Sequence, residues 1–190
     1  MKRLLFIFLI LASFANGQTL DEHMGVPLAN IAEINGVAIA NISEVDGIEF
    51  SVIPITIGSG ANQTLAAQPS GYTYIDLGNP AASSGTITTV EIYASSAMTG
   101  CKVAIFRATT GNSYIGVDSE TIGNVSDGSK QTFSVSLSVQ TGDYIGVYYA
   151  SGQIYYNNTG DGVTASVGDV TATEAEFTAF SGETSIYGYN

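Results

Sequence analysis

The residues best suited to chemistry in this sequence are four tyrosines and a scatter of oxygen side chains. Tyr148, Tyr149, Tyr155 and Tyr156 flank Ser151-Gly152, which reads as the turn of a tyrosine-rich hairpin. Strand alternation sends Tyr148 and Tyr149 to opposite faces, and it does the same to Tyr155 and Tyr156. One pair then packs inside while the other forms an exposed aromatic strip. Tyrosine offers an apolar ring with a polar tip, which suits the C–H surfaces of sugars or a protein contact. The competing reading makes all four ordinary β formers that cover core and sheet rim.

The run from Asn157 to Gly162 is the best ion candidate. Asn157, Thr159 and Asp161, followed by Gly162, partly match the opening of a calcium loop. The twelfth position is Gly168 where a glutamate is needed, and Asp169 follows it at once. The same run also reads as a plain Asn/Gly turn. No other cofactor is implied.

The catalytic inventory is thin. Asp118 with Glu120, and Glu174 with Glu176, alternate on strand faces. Paired carboxyls serve glycoside hydrolysis only when they flank a cleft, and solvated strand-face acids are the simpler reading. His23 is the single histidine and Cys101 the single cysteine. Cys101 lies in the apolar run CKVAIF, has no basic neighbour to activate it, and reads as a small core residue. No nucleophile elbow, phosphate loop or zinc motif is present. The sequence therefore assigns no catalytic residues, and the expected protein is not an enzyme.

Charge narrows the partners. The full chain carries a formal charge of −12. Residues 1–17 have a signal-peptide layout: Lys2 and Arg3, an apolar stretch from Leu4 to Ala12, then Ala15-Asn16-Gly17 as a small-x-small cleavage site. Cleavage would leave 17 acids against three bases, Lys102, Arg107 and Lys130. Such a chain repels phosphate backbones, so nucleic acid is excluded as a partner. An extracytoplasmic location is expected, with no transmembrane segment after cleavage.

The elements that must hold these residues are strands. Residues 18–57 contain three 11-residue units, LDEHMGVPLAN, IAEINGVAIAN and ISEVDGIEFSV, each with Gly at its sixth position. Asn35-Gly36 and Asp46-Gly47 are two-residue type I′ turn signals, so short strand–turn–strand units are expected. An 11-residue period also suits a right-handed coiled coil, but a fixed Gly beside Asn or Asp marks turns. Such short repeats need a neighbour to bury their apolar groups, which points to self-association or to packing on the rest of the chain. Ser51 to Ile57 reads as one more strand, with Pro54 keeping it at an edge. Residues 58–71 read as a Gly- and Ser-containing linker. Residues 72–190 show strand candidates about ten residues apart. Val90, Ile92 and Ala94 alternate with Glu91 and Tyr93; Phe133, Val135 and Leu137 alternate with Ser134 and Ser136. The fold class is all-β: an antiparallel β-sandwich, jelly-roll-like, preceded by strand–turn repeats.

The segment GTITTVEIYASSAMTGCKVAIFRA…GSKQTFSVSLSVQTGDYIGVYYASG resembles a β-sandwich module found in phage-encoded and environmental bacterial proteins. The repeat text INGVAIANISEVDGI resembles short repeats of phage virion and fibre-associated proteins. The resemblance implies surface display or attachment and supplies no catalytic residues. The expected function is an exported attachment protein. Its sandwich binds a surface ligand, a glycan or a protein, and its repeats anchor or oligomerise it. The alternatives are a structural fibre subunit without ligand and, behind it, a secreted glycan-active enzyme.

Overall fold

The structure, a computed structural model, describes residues 54–190 apart from Leu65 and Asp161, together with four two-residue strands ahead of them. The chain divides into two compact units, Met1–Ile53 and Pro54–Asn190. The signal-peptide segment 1–17, the first repeat and His23 lie outside the described residues.

In the first unit, Glu33–Ile34 (β1) pairs with Val37–Ala38 (β2), and Glu44–Val45 (β3) pairs with Ile48–Glu49 (β4), both antiparallel. The innermost pairs are Ile34↔Val37 and Val45↔Ile48. Each leaves two residues between the strands, Asn35-Gly36 or Asp46-Gly47, as a two-residue hairpin requires. The two ladders keep the same register in successive 11-residue units.

The second unit is an all-β antiparallel sandwich. Its strands are Thr56–Ile57 (β5), Ala66–Pro69 (β6), Tyr72–Asp76 (β7), Gly85–Ile92 (β8), Ala94–Ala108 (β9), Ser113–Val125 (β10), Gln131–Val139 (β11), Tyr144–Tyr148 (β12), Ser151–Asn157 (β13), Val163–Val167 (β14), Glu174–Glu176 (β15), Thr178–Phe180 (β16), Glu183–Thr184 (β17) and Ile186–Tyr189 (β18). A four-stranded sheet has the order β11-β8-β18-β5, and the remaining strands form a ten-stranded sheet around the path β15-β10-β9-β12-β7-β14-β16. Apolar alternation sorts the faces. Ile87, Val90, Ile92, Leu137 and Ile186 of the small sheet meet Val103, Ile105, Ile145, Val147 and Ile154 of the large one in a single buried core. Cys101 is fully buried there, and burial pushes its thiol up to about 12.

Two departures from the sequence expectations matter for the site. Residues 58–71 are part of the sandwich and not a linker: β6 pairs with β13 from Gln153↔Pro69 to Tyr156↔Ala66, and Gln68 is buried. The division of the chain instead falls between Ile53 and Pro54. Polar and Gly-rich composition marks a chain that bends, and here the bends are stabilised by a ladder to residues more than 80 positions away. Secondly, Ser151-Gly152 is a bulge and not a hairpin turn. β12 runs along β9 from Tyr144↔Phe106 to Tyr148↔Lys102, and β13 continues along β9 from Ser151↔Thr99 to Ile154↔Ala94. Gly152 has φ +86°, and a Cβ there would collide with the Ala97 carbonyl. Glycine thus lets the strand bend while staying against β9.

The sheets are joined on two sides. At Tyr93, between β8 and β9, one chain passes from the small sheet to the large; at Ser185, between β17 and β18, another passes back. The Tyr93 amide donates to the Ser185 carbonyl (3.2 Å), the Ser185 amide to the Tyr155 carbonyl (3.0 Å), and the Tyr155 amide to the Tyr93 carbonyl (3.1 Å). This closed three-way cycle satisfies the backbone where the ladders part. On the other side, the Ser138 amide donates to Asp118 Oδ2 (2.7 Å) and the Ser136 amide to Glu120 Oε1 (2.6 Å). Two carboxylates of β10 thus stand in for the carbonyls that edge strand β11 lacks.

Candidate functional site

The expected tyrosine cluster is dispersed by the continuous β12–β13 path. Tyr148 and Tyr155 lie seven residues apart along it, about 23 Å at 3.3 Å per residue. Tyr149 is fully buried, stacks on Tyr74 with ring centroids 6.1 Å apart, and donates its hydroxyl to the Gln68 carbonyl (2.9 Å). Burial holds its phenol well above the ordinary value and pushes that of Tyr74 up to about 12. Tyr156 packs against the core and edge-on to Phe180, and its hydroxyl donates to the Ser181 carbonyl. These two tyrosines are scaffold. Tyr148 is half-buried on the outer face of the large sheet, in register with Lys102 and Thr73. Nearby, residues 168–177 cross that face and cover Phe106, Tyr114 and Tyr144 with Phe177.

Tyr155 has a different setting, and the sequence reading missed its companions. Its ring meets Tyr93 edge-on, with centroids 5.2 Å apart, and its hydroxyl accepts from Gln63 Nε2 (3.2 Å). Tyr93 donates its hydroxyl to the Gly128 carbonyl (3.4 Å). On β18, buried Ile186 and Gly188 point inward, so Tyr187 and Tyr189 point outward, with ring centroids 5.8 Å apart. Cross-strand register puts Tyr187 beside Glu91 and Thr132, and Tyr189 beside Thr56, Thr89 and Ser134. Lys130 Nζ is paired with Glu91 at 2.7 Å. The alternating I-Y-G-Y pattern of residues 186–189 carried the signal for this face.

Among the described members of the calcium set, Asp169 lies apart from Asn157 and Thr159, with β14 between them. Asn157 Oδ1 already accepts from the amide and hydroxyl of Thr159, at 3.0 and 2.9 Å, which is a closed local turn. Asp161 lies outside the described residues. Asp169 stands beyond the far end of β14 and holds Lys102 at 2.6 Å and the Thr171 hydroxyl at 2.6 Å. Burial works against its ionisation, but the bonds from Lys102 and Thr171 outweigh it and keep the carboxyl below its ordinary value. Among the described residues, no three His, Cys, Asp or Glu side chains gather as a metal-ligand set.

The acids are largely engaged in structure. Asp118 and Glu120 hold the β11 edge. Glu174 accepts from the Thr109 hydroxyl (2.6 Å). Asp143, almost fully buried, accepts from Arg107 Nε (2.8 Å) and Nη2 (2.9 Å) and from the Gln140 amide (2.8 Å). That two-pronged bond raises the Arg107 pKa further. Asp76 is fully buried, accepts from the Ser59 hydroxyl (2.6 Å), the Gly78 amide (3.1 Å) and the Thr184 amide (2.8 Å), and has no cationic partner among the described residues. Burial pushes its carboxyl up to about 6 against those three bonds. No local pattern marks it, because β7 reads as an ordinary strand ending in a polar residue.

No protein-family model matches the chain, and no curated protein matches it.

Proposed function

We propose that this is an exported, non-enzymatic attachment protein. Its sandwich presents a ligand-binding surface, and its N-terminal repeats anchor it or join copies of it. One observation carries the reading: the acids that might do chemistry hold the scaffold, while a group of tyrosines on the small sheet faces outward. Asp118 and Glu120, one of the two carboxylate pairs in the sequence, accept backbone amides of β11. The signal-peptide layout supports export, and the paired hairpins support a modular repeat segment.

The test is light scattering on the mature chain beside a variant lacking residues 20–52. The expected result is an assembly for the first, and for the second a monomer that still melts cooperatively. A monomeric mature chain would remove the assembly role of the repeats. The shared register of β1–β2 and β3–β4 favours a second reading, a fibre subunit that stacks through its repeats. Ordered filaments of the mature protein in electron micrographs, with no bound ligand, would support that instead.

A further inference from the structure

We infer that the outer face of the four-stranded sheet, with the seam where it meets β13 of the large sheet, is a platform for a neutral glycan chain: Tyr187 and Tyr189 on β18, Tyr93 at the crossover and Tyr155 on β13 are its rings. The inference rests on the attachment reading and names its site and ligand class.

The four rings are half-buried, and they touch in two pairs, Tyr93 with Tyr155 and Tyr187 with Tyr189. Tyr189, Tyr187 and Tyr93 occupy successive outward rows, since Tyr189 opposes Thr89, Tyr187 opposes Glu91, and the Ser185 carbonyl bonds the Tyr93 amide. Rows two residues apart are separated by about 7 Å, so the platform runs about 14 Å along the strands. That length fits several linked sugars better than one. The rings are also held in place before any ligand arrives. The three-way amide cycle fixes Tyr93 and Tyr155, and Gln63 and the Gly128 carbonyl hold their hydroxyls. Preorganised rings lose little freedom on binding.

The chemistry of the face selects the ligand. Its outward neighbours are hydroxyl side chains, Thr56, Thr89, Thr132 and Ser134, with no aliphatic anchor among them. Tyrosines also anchor protein interfaces, but there they sit in a desolvated, largely apolar core, whereas these rings are half-buried among hydroxyl side chains. Lys130 and Glu91 cancel each other within the face. The excess of 17 acids over five bases, a formal charge of −12, disfavours an anionic polysaccharide. What remains complementary is a ligand with C–H faces for the rings and hydroxyls for the rim. The large sheet shows the contrast: its aromatic patch of Phe106, Tyr114 and Tyr144 is covered by the chain's own Phe177.

The experiment is calorimetric titration of the mature protein with cellohexaose, maltohexaose and mannohexaose, and with tetragalacturonate as an anionic comparator. At least one neutral hexasaccharide is expected to bind. Tyr187→Ala with Tyr189→Ala should weaken it by about tenfold or more. Tyr187→Phe with Tyr189→Phe, which keeps the ring faces, should retain most of the affinity and guards against misfolding of the alanine variant. Tyr148→Ala should change nothing. Neutral-glycan binding that survives both the alanine pair and Tyr93→Ala overturns the site but leaves the attachment reading intact. Preference for tetragalacturonate, or millimolar neutral glycans with no heat, overturns the ligand class. The light-scattering result bears on the attachment reading separately.

Discussion

Asp76 gives this fold a pH dependence opposite to that of most carboxylates. Its ordinary value is 3.8 and its folded value is about 6. A raised folded value means that the native state holds the proton more tightly than the unfolded chain. The contribution to stability is therefore complete below pH 3.8 and is lost as pH rises through 6. A shift of about two units is worth about 3 kcal/mol at 1.36 kcal/mol per unit. The residue is fully buried, so water screens little of this. Other carboxylates, Asp169 among them, contribute with the opposite sign, so the measurement must be a difference. We expect urea unfolding of the mature protein and of Asp76→Asn, taken from pH 3.5 to 7.5, to show it. Subtracting the variant from the wild type should leave a wild-type term that declines by about 3 kcal/mol across the window. The variant itself starts lower at acid pH. Its amide keeps the Ser59 and Gly78 bonds on one oxygen but turns an N–H towards the Thr184 amide, a mismatch costing about 1–3 kcal/mol. A difference curve that is flat, or that rises with pH, would refute the assignment of a destabilised buried carboxylate.

Four further outcomes follow from the packing. Arg107→Ala should cost about 2–3 kcal/mol in urea melts, because it strands buried Asp143; Arg107→Lys, with one prong in place of two, should recover only part of that. Gly116→Ala should destabilise by about 1–3 kcal/mol, since a Cβ there would run into the Thr171 carbonyl; proteolysis within residues 168–177 should accelerate with it. Asp118→Ala with Glu120→Ala should cost only about 1 kcal/mol each, because water reaches the freed amides, but should promote aggregation through the β11 edge in turbidity assays. Cys101 should react with a thiol reagent only as fast as the protein unfolds, given its burial and a thiol pushed up to about 12.

Much of the fold was legible in the sequence because its causes are local. Asn35-Gly36 and Asp46-Gly47 specify a two-residue turn whatever surrounds them, and the strands flanking each are paired in the matching register. Alternation in Val90-Glu91-Ile92 and Phe133-Ser134-Val135 identified one-sided strands, and those strands are found. The site was harder to read. Ser151-Gly152 carries the same chemistry whether it turns a chain or bulges it, and only the length of β9, which accompanies the chain past the bend, decides for the bulge. With the hairpin gone, Tyr148 and Tyr155 part, and Tyr149 and Tyr156 go inward. Likewise residues 58–71 look like a linker until β13 is there to pair with them.

What the sequence determined by itself was the all-β class, the acid surplus, and which residues alternate. Each of these depends on side-chain type and on a period of two. The tertiary structure alone decided which tyrosines share a surface, because Tyr93, Tyr155, Tyr187 and Tyr189 come from three separate stretches that meet where the sheets join. It also decided which acids are scaffold. Asp118 and Glu120 read as a solvated pair until the bare edge of β11 lies beside them. Asp76 is buried because Ser59 and Thr184, 17 and 108 residues away, fold over it.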